Sequence, residues 1–136
     1  MPSPKEIVEQ MMTKDAFSRW LGIEFLEIKE GACKLQMQIR DEMLNGHDTA
    51  HGGITYSFAD SALGFACNSH GIRSVSIETS ISHIKPLVKN DIIIAEAIEE
   101  SRSNKIGIYT IKVYKKADQS LVALFKGTVY RTSKSW

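Results

Sequence analysis

The spacing of apolar residues divides the chain into helical and strand-like segments. The first 21 residues carry two apolar stripes at helical spacing, formed by Ile7, Val8, Met11 and Met12 and then by Phe17, Trp20 and Leu21. Ser3 and Glu6 have the spacing of a capping box, and Pro4 suits the first helical position. A charged pair separates the stripes, so residues 3–21 are predicted as one helix or as two, with Thr13 capping the second.

Strand-like alternation recurs in six later segments. These are residues 23–29, 32–40, 74–84, 91–101, 105–115 and 121–132. Short polar breaks between neighbouring segments, such as Glu30-Gly31, are typical of hairpin turns. Between the second and third segments, residues 52–69 have helical length and a single charge, Asp60. A surface helix carries several charges, so this one is predicted to be mostly buried. We expect a single α+β domain over residues 1–136, with an antiparallel sheet around the central helix.

The central helix has two different faces when its residues are placed at ~100° per step. Ile54, Phe58, Ala59, Ala62, Phe65 and Ala66 form an apolar face, which we assign to the core. The opposite face is small and polar, with Gly53, Ser57, Asp60, Ser61, Gly64, Cys67 and Asn68. Small residues allow another backbone to approach closely, which favours contact with a second copy of the chain. The alternative is that this face is exposed to solvent.

Asp60 and the start of the central helix carry the clearest chemical signals. A carboxylate among apolar and small neighbours loses hydration, a cost that is typical of functional sites, although an exposed aspartate on a polar stripe fits the same pattern. Gly52 and Gly53 leave backbone N–H groups at a helix N-terminus, where they suit a developing oxyanion. A tight turn alone would also require glycine.

The distance between Gly52 and Asp60 limits how they can act together. They are eight residues apart, which is about 12 Å along a helix. One carbonyl group cannot contact both. If both serve one reaction, they come from different chains, related by a two-fold axis that places Asp60 of one helix near Gly52 of the other.

Composition narrows the range of partners. The 136 residues include 17 Lys+Arg and 16 Asp+Glu, a formal net charge of +1. This balance argues against a nucleic-acid-binding protein but allows a small anionic ligand. No apolar run is long enough to span a membrane, and no signal peptide is recognisable at the N-terminus. The two cysteines form no disulfide framework, so a cytoplasmic location is expected.

Three short motifs resemble those of a known enzyme family. Residues 44–47 (LNGH), 51–53 (HGG) and 59–61 (ADS) are similar to motifs of the hotdog-fold acyl-CoA thioesterases. The likeness is strongest to the PaaI-like branch, named for phenylacetic acid degradation. It extends from about residue 20 to residue 131 and includes residues 66–69 (ACNS), 75–78 (VSIE) and 85–86 (KP).

The resemblance implies a fold, an assembly and a reaction. The fold is the hotdog, an antiparallel sheet wrapped around a long central helix, in homodimers or homotetramers that share sites between chains. The reaction is hydrolysis of acyl-CoA thioesters, with aryl-acetyl or medium-chain acyl groups. No cofactor and no metal are implied, since coenzyme A is part of the substrate.

The resemblance also implies a role for each matched residue. Gly52 would donate its backbone N–H to the thioester carbonyl, and Asp60 of the partner chain would act as general base or nucleophile. Asn45 and His51 would position the substrate or the attacking water. Ser76 matches a serine that orients water in part of the family.

Other interpretations remain open at this stage. A hotdog dehydratase or hydratase, or a non-catalytic acyl-CoA-binding module, would have a similar pattern. His47 and His51 have a zinc-like spacing but no obvious third ligand, and Cys67 near His70 is more typical of packing than of a thiol nucleophile. The acyl pocket is expected near Tyr56, Phe58 or Leu63, and His83 is expected to be structural. Candidate phosphate contacts are Arg73, Lys85, Lys89, Arg102 and Lys105.

Overall fold

The computed structural model describes residues 1–136 as three α-helices and one six-stranded sheet. The helices are α1 (Pro4–Lys14), α2 (Ala16–Leu21) and α3 (Gly52–Asn68), and a 3₁₀ turn covers Asp41–Met43. The strands are β1 (Glu24–Lys29), β2 (Ala32–Gln38), β3 (Ile72–His83), β4 (Ile92–Arg102), β5 (Ile106–Lys115) and β6 (Leu121–Ser135). None of the helices is long and apolar enough to cross a membrane.

The sheet is antiparallel throughout and wraps around α3. Its strand order is β1-β2-β4-β5-β6-β3, so β1 and β3 form the two edges. The predicted core face of α3 is buried against the sheet, with Phe58, Ala62 and Phe65 at most 1% exposed. The sheet approaches α3 closely at Gly127 of β6, where a Cβ would lie 2.5 Å from Leu63 Cδ2. All six predicted strands are present, and the arrangement is the expected hotdog fold.

The N-terminal segment forms two helices, not one. The predicted capping box at the start of α1 is present. Asp15 breaks the segment, because its carboxylate accepts hydrogen bonds from the Ser18 N–H at 3.0 Å and the Ser18 hydroxyl at 2.6 Å. The cap of α2 is therefore Asp15 and not Thr13, whose hydroxyl donates back to the Gln10 carbonyl within α1.

The two N-terminal helices cover part of the polar face of α3. The Ser18 and Ser61 hydroxyls lie 2.9 Å apart in a hydrogen bond. Cys67 and Asn68 are buried, and the Asn68 amide bonds to the backbone of Ser74. Three positions of the face predicted to meet a second copy, Ser61, Cys67 and Asn68, therefore contact other parts of the same chain, because residue periodicity does not show what packs on a helix from elsewhere. The part that stays open or partly open is the stripe Gly53, Ser57, Asp60 and Gly64.

Candidate functional site

The start of α3 presents one free backbone donor. His51 is the N-cap, and its Nδ1 atom accepts a hydrogen bond from the Gly53 N–H at 2.9 Å. The expectation that Gly53 offers a free N–H is thus incorrect. The Gly52 N–H has no acceptor within the chain. Because Nδ1 of His51 is an acceptor, the neutral imidazole carries its proton on Nε2, which stays available as a donor.

Asn45 organises the loop that leads into this helix. Its side-chain oxygen accepts hydrogen bonds from the backbone N–H groups of His47 at 2.8 Å and Thr49 at 3.3 Å. The loop is anchored further by the His51 N–H, which donates to the Met43 carbonyl at 2.8 Å. Asn45 therefore holds the loop with its oxygen and retains an amide NH2 group with no partner in the chain.

A cavity of about 310 Å³, the Gly52 cavity, opens beside the helix N-terminus. Its lining residues are Ala50, Gly52, Thr55, His83, Ile84, Lys85, Pro86 and Leu87. A Cβ at position 52 would lie 3.2 Å from Nε2 of His83, so this imidazole lies close to the start of α3. The structure places His83, which the sequence suggests to be structural, in the wall of this cavity. Sequence spacing gives no sign of this proximity between the end of β3 and the start of α3.

Of the five candidate phosphate contacts, only Lys85 lines this cavity. The other four interact with side chains elsewhere in the chain. Lys89 pairs with Asp41, Arg102 with Glu99, Arg73 covers the Trp136 ring and Lys105 lies near the Tyr130 ring. Lys85 makes no ion pair and lies in the Gly52 cavity. It is the cation best placed to meet an anionic group there.

Asp60 lies in a second cavity, the Asp60 cavity, of about 240 Å³. Its lining residues are Met11, Asp15, Phe17, Ser18, Ser57, Asp60, Ser61, Gly64 and Phe65. The Asp60 side chain is half-buried and has no hydrogen bond or ion pair within the chain. Burial raises the pKa of its carboxyl, because loss of hydration disfavours the charged form. An unpaired carboxylate with a raised pKa is a better base than a solvated one.

The residues predicted to lie near the acyl pocket, Tyr56, Phe58 and Leu63, do not line the Asp60 cavity. Phe58 and Leu63 are fully buried in the core, and the Tyr56 hydroxyl is hydrogen-bonded to the Thr79 hydroxyl. None of the three lines this cavity. The apolar side chains that do line it come from the N-terminal helices and from one position on α3, a combination that the helical pattern alone did not reveal.

Within one chain the predicted site residues fall into separate groups. The Gly52 and Asp60 cavities share no lining residue. The loop of Asn45 and His51 belongs with Gly52, while Asp60 stands apart. Ser76 lies opposite the buried Val129 in the β3–β6 register, hence on the sheet face turned toward α3, but it is exposed and lines neither cavity.

A polar cluster at the far end of α3 is structural. The His70 imidazole is 6% exposed, is hydrogen-bonded to Glu99 and lies 3.1 Å from Glu30, and the Tyr109 hydroxyl donates to Glu99 at 2.9 Å. Burial raises the pKa of the Cys67 thiol to about 12, so this thiol is not activated and His70 is not free to serve it. No three His, Cys, Asp or Glu side chains are grouped closely enough to hold a metal ion.

Comparisons with known proteins agree on one family. The thioesterase superfamily model matches residues 47–122. Acyl-coenzyme A thioesterase PaaI of Escherichia coli K12 is 35% identical and covers 89% of this chain and 86% of its own length. Human acyl-coenzyme A thioesterase 13 is 25% identical, with 89% of each covered. The structure of E. coli PaaI, from the phenylacetic acid degradation operon, matches with a TM-score of 0.94 at 32% identity, covering 97% of this chain and 95% of that one.

Proposed function

This chain belongs to the thioesterase superfamily, and we propose that it hydrolyses acyl-CoA thioesters carrying aryl-acetyl or medium-chain acyl groups. The observation that carries the proposal is the pair formed by Asp60 and Gly52. One is a half-buried carboxylate with no partner, and the other is a free N–H at the start of the same helix. Hydrolysis of a thioester requires a base for water and a donor for the carbonyl oxygen, which these two groups supply.

The chemistry follows from these two groups. The Asp60 carboxylate takes a proton from a water molecule as the water oxygen forms a bond to the thioester carbon. The Gly52 N–H, at the positive end of the α3 dipole, stabilises the negative charge that develops on the carbonyl oxygen. The carbon–sulfur bond then breaks, and coenzyme A leaves as the thiolate, which regains a proton from the carboxyl group or from solvent. The products are the free acid and coenzyme A.

The site we propose is shared between two protomers. Gly52 and Asp60 are separated by about 12 Å along α3 and line different cavities. An antiparallel pair of α3 helices across a two-fold axis would bring Asp60 of one protomer to Gly52 of its partner and create two equivalent sites. The open stripe of small residues around Asp60 is compatible with such an approach.

The β3 edge provides a second reason to expect a homodimer. This strand of 12 residues pairs only with β6, so its other edge is unpaired. Ile77 on this strand is 58% exposed and Val75 is 56% exposed. A long, apolar and unpaired edge readily pairs with another chain. We therefore propose that two β3 edges pair in the dimer, with or without further association into a tetramer.

Four further residues have proposed supporting roles. The free amide NH2 of Asn45 and the Nε2–H of His51 would hold the substrate carbonyl or the attacking water near Gly52. Ser76 would orient water from β3, on the side of the sheet that faces α3. Lys85 would meet a phosphate of coenzyme A at the Gly52 cavity.

The proposed function is tested by coenzyme A release from a panel of esters. We expect phenylacetyl-CoA, hexanoyl-CoA and octanoyl-CoA to be hydrolysed, with kcat/KM within the range of ordinary enzymes, about 10⁴–10⁸ M⁻¹s⁻¹, for the best of them. Tight binding of all esters without release of coenzyme A would favour a binding module. Hydration of crotonyl-CoA without release would favour a hydratase, and either result would overturn the proposal.

Mixed dimers provide a direct test of the shared site. We expect a heterodimer of one Asp60→Asn chain and one Gly52→Pro chain to recover about half of wild-type activity, because one of its two sites contains both native groups. The heterodimer can be purified with two different affinity tags and assayed with phenylacetyl-CoA. The Asp60→Asn homodimer, carrying both tags in the same way, is the control. An inactive heterodimer, or a wild-type protein that is monomeric at assay concentrations, would contradict a shared site.

A further inference from the structure

The two cavities differ in charge. Asp15 and Asp60 line the Asp60 cavity, and no cationic side chain does. Lys85 and His83 line the Gly52 cavity, and no carboxylate does. Like charges repel, so the phosphates of coenzyme A are disfavoured in the Asp60 cavity and favoured near Lys85. The thioester carbonyl must reach Asp60, so the uncharged part of the substrate is the part that can enter the Asp60 cavity.

From this charge difference we infer that the acyl group occupies the Asp60 cavity and that Phe17 and Met11 set its maximum size. The inference rests on the proposed function, since it assigns the two halves of the proposed substrate to the two cavities. Phe17 from α2 and Met11 from α1 form the outer wall, and Phe65 of α3 forms the apolar inner wall. These are specificity-determining residues, which contact the acyl group and take no part in the bond-breaking step.

The volume of the cavity fits a compact acyl group. It measures about 240 Å³. An apolar protein cavity of about 150 Å³ is large enough to bind benzene, with its six carbon atoms. If the number of carbon atoms scales with cavity volume, the Asp60 cavity holds about ten. A phenylacetyl group, with eight, fits inside, whereas a lauroyl chain, with twelve, does not fit without displacing a wall.

The outer wall is fixed in place from both ends of α2. Asp15 caps the start of α2, and Arg40 donates hydrogen bonds to the carbonyls of Leu21 at 3.0 Å and Trp20 at 2.6 Å at its end. The Phe17 ring stacks on Trp20 with a centroid distance of 6.1 Å and an interplanar angle of 8°. Phe17 is therefore held against the cavity although it is 51% exposed to solvent. A wall held in this way discriminates by size, because moving it breaks several contacts.

The inference is tested by enlarging the cavity from its outer side. We expect Phe17→Ala to lower the ratio of kcat/KM for phenylacetyl-CoA to that for lauroyl-CoA by at least about tenfold, the smallest effect typical of a changed apolar pocket. Met11→Ala enlarges the cavity from the other helix and should shift the ratio in the same direction. The control is Leu26→Ala on β1, which removes a comparably exposed apolar side chain (49% exposed) that does not line the cavity. It should leave the ratio within about threefold of wild type, since surface changes have small effects.

A binding measurement separates this inference from the proposed function. The dissociation constants of phenylacetyl-CoA and lauroyl-CoA are measured by calorimetry in the Asp60→Asn background, with and without Phe17→Ala and with and without Met11→Ala. If the wild type releases no coenzyme A but the ratio of dissociation constants shifts tenfold, the cavity assignment stands and the hydrolase proposal fails. If neither variant changes the ratio of rates or of dissociation constants, the acyl group does not occupy the Asp60 cavity.

Discussion

The Asp60→Asn variant is expected to hydrolyse phenylacetyl-CoA at least about 100-fold more slowly than the wild type, the lower limit for loss of a general base. The amide has nearly the same shape as the carboxylate but cannot take the proton of the attacking water. Because Asp60 has no hydrogen bond or ion pair within the chain, the substitution breaks no intrachain contact. The loss should therefore appear in kcat, with KM changed little, and the melting temperature should not fall.

The dependence of kcat on pH gives the same assignment an independent readout. A general base is active only when ionised, so kcat should fall as the pH drops through the pKa of Asp60. Burial raises that pKa, so the midpoint of the decrease in kcat at low pH, the acid limb of the profile, should lie above the ordinary aspartate pKa of about 3.9. The residual activity of Asp60→Asn should lack this limb. Glu100→Gln, which removes an exposed carboxylate, is the control. It should retain the wild-type kcat and the same decrease in kcat at low pH. If Asp60→Asn retained more than a tenth of the wild-type kcat, Asp60 would not be the general base.

The sequence predicted the fold well because the fold depends on periodic patterns. Strand alternation identified all six strands, and the single charge in residues 52–69 identified a buried helix and its one unusual residue, Asp60. These signals are local, since each is present within a run of fewer than 20 residues. The positions of Gly52 and Asp60 at opposite ends of about 12 Å of helix also follow from residue counting alone.

The details of the site were harder to predict because they depend on contacts between distant segments. Phe17 precedes Asp60 by 43 positions, and its apolar stripe is equally compatible with contact to the sheet or to α3. The cavity shared by His83 and Gly52 joins the end of a strand to a helix start 31 residues earlier. The occupied N–H of Gly53 reflects a side-chain rotamer of His51, which residue spacing does not encode.

A comparison of two substitutions at Gly52 isolates the role of its backbone N–H. Gly52→Pro removes the N–H, whereas Gly52→Ala keeps it. We expect Gly52→Pro to have a kcat about 100- to 1,000-fold below that of Gly52→Ala, the effect typical of losing one oxyanion donor. Both variants place a Cβ near Nε2 of the exposed His83, at 3.2 Å, so any steric effect of that atom is common to both.

The helix should tolerate proline at this position. Gly52 is the first residue of α3, where proline is favoured and where its N–H has no intrachain acceptor to lose. His51, which precedes it, has φ −58° and ψ 136°, the extended conformation that proline requires of its neighbour. Melting temperatures of the two variants should therefore be similar, and a lower kcat in the proline variant would reflect the missing donor. Equal kcat values in two folded variants would show that the thioester carbonyl is polarised by another group, and the side-chain donors of Asn45 and His51 would then become the candidates to test.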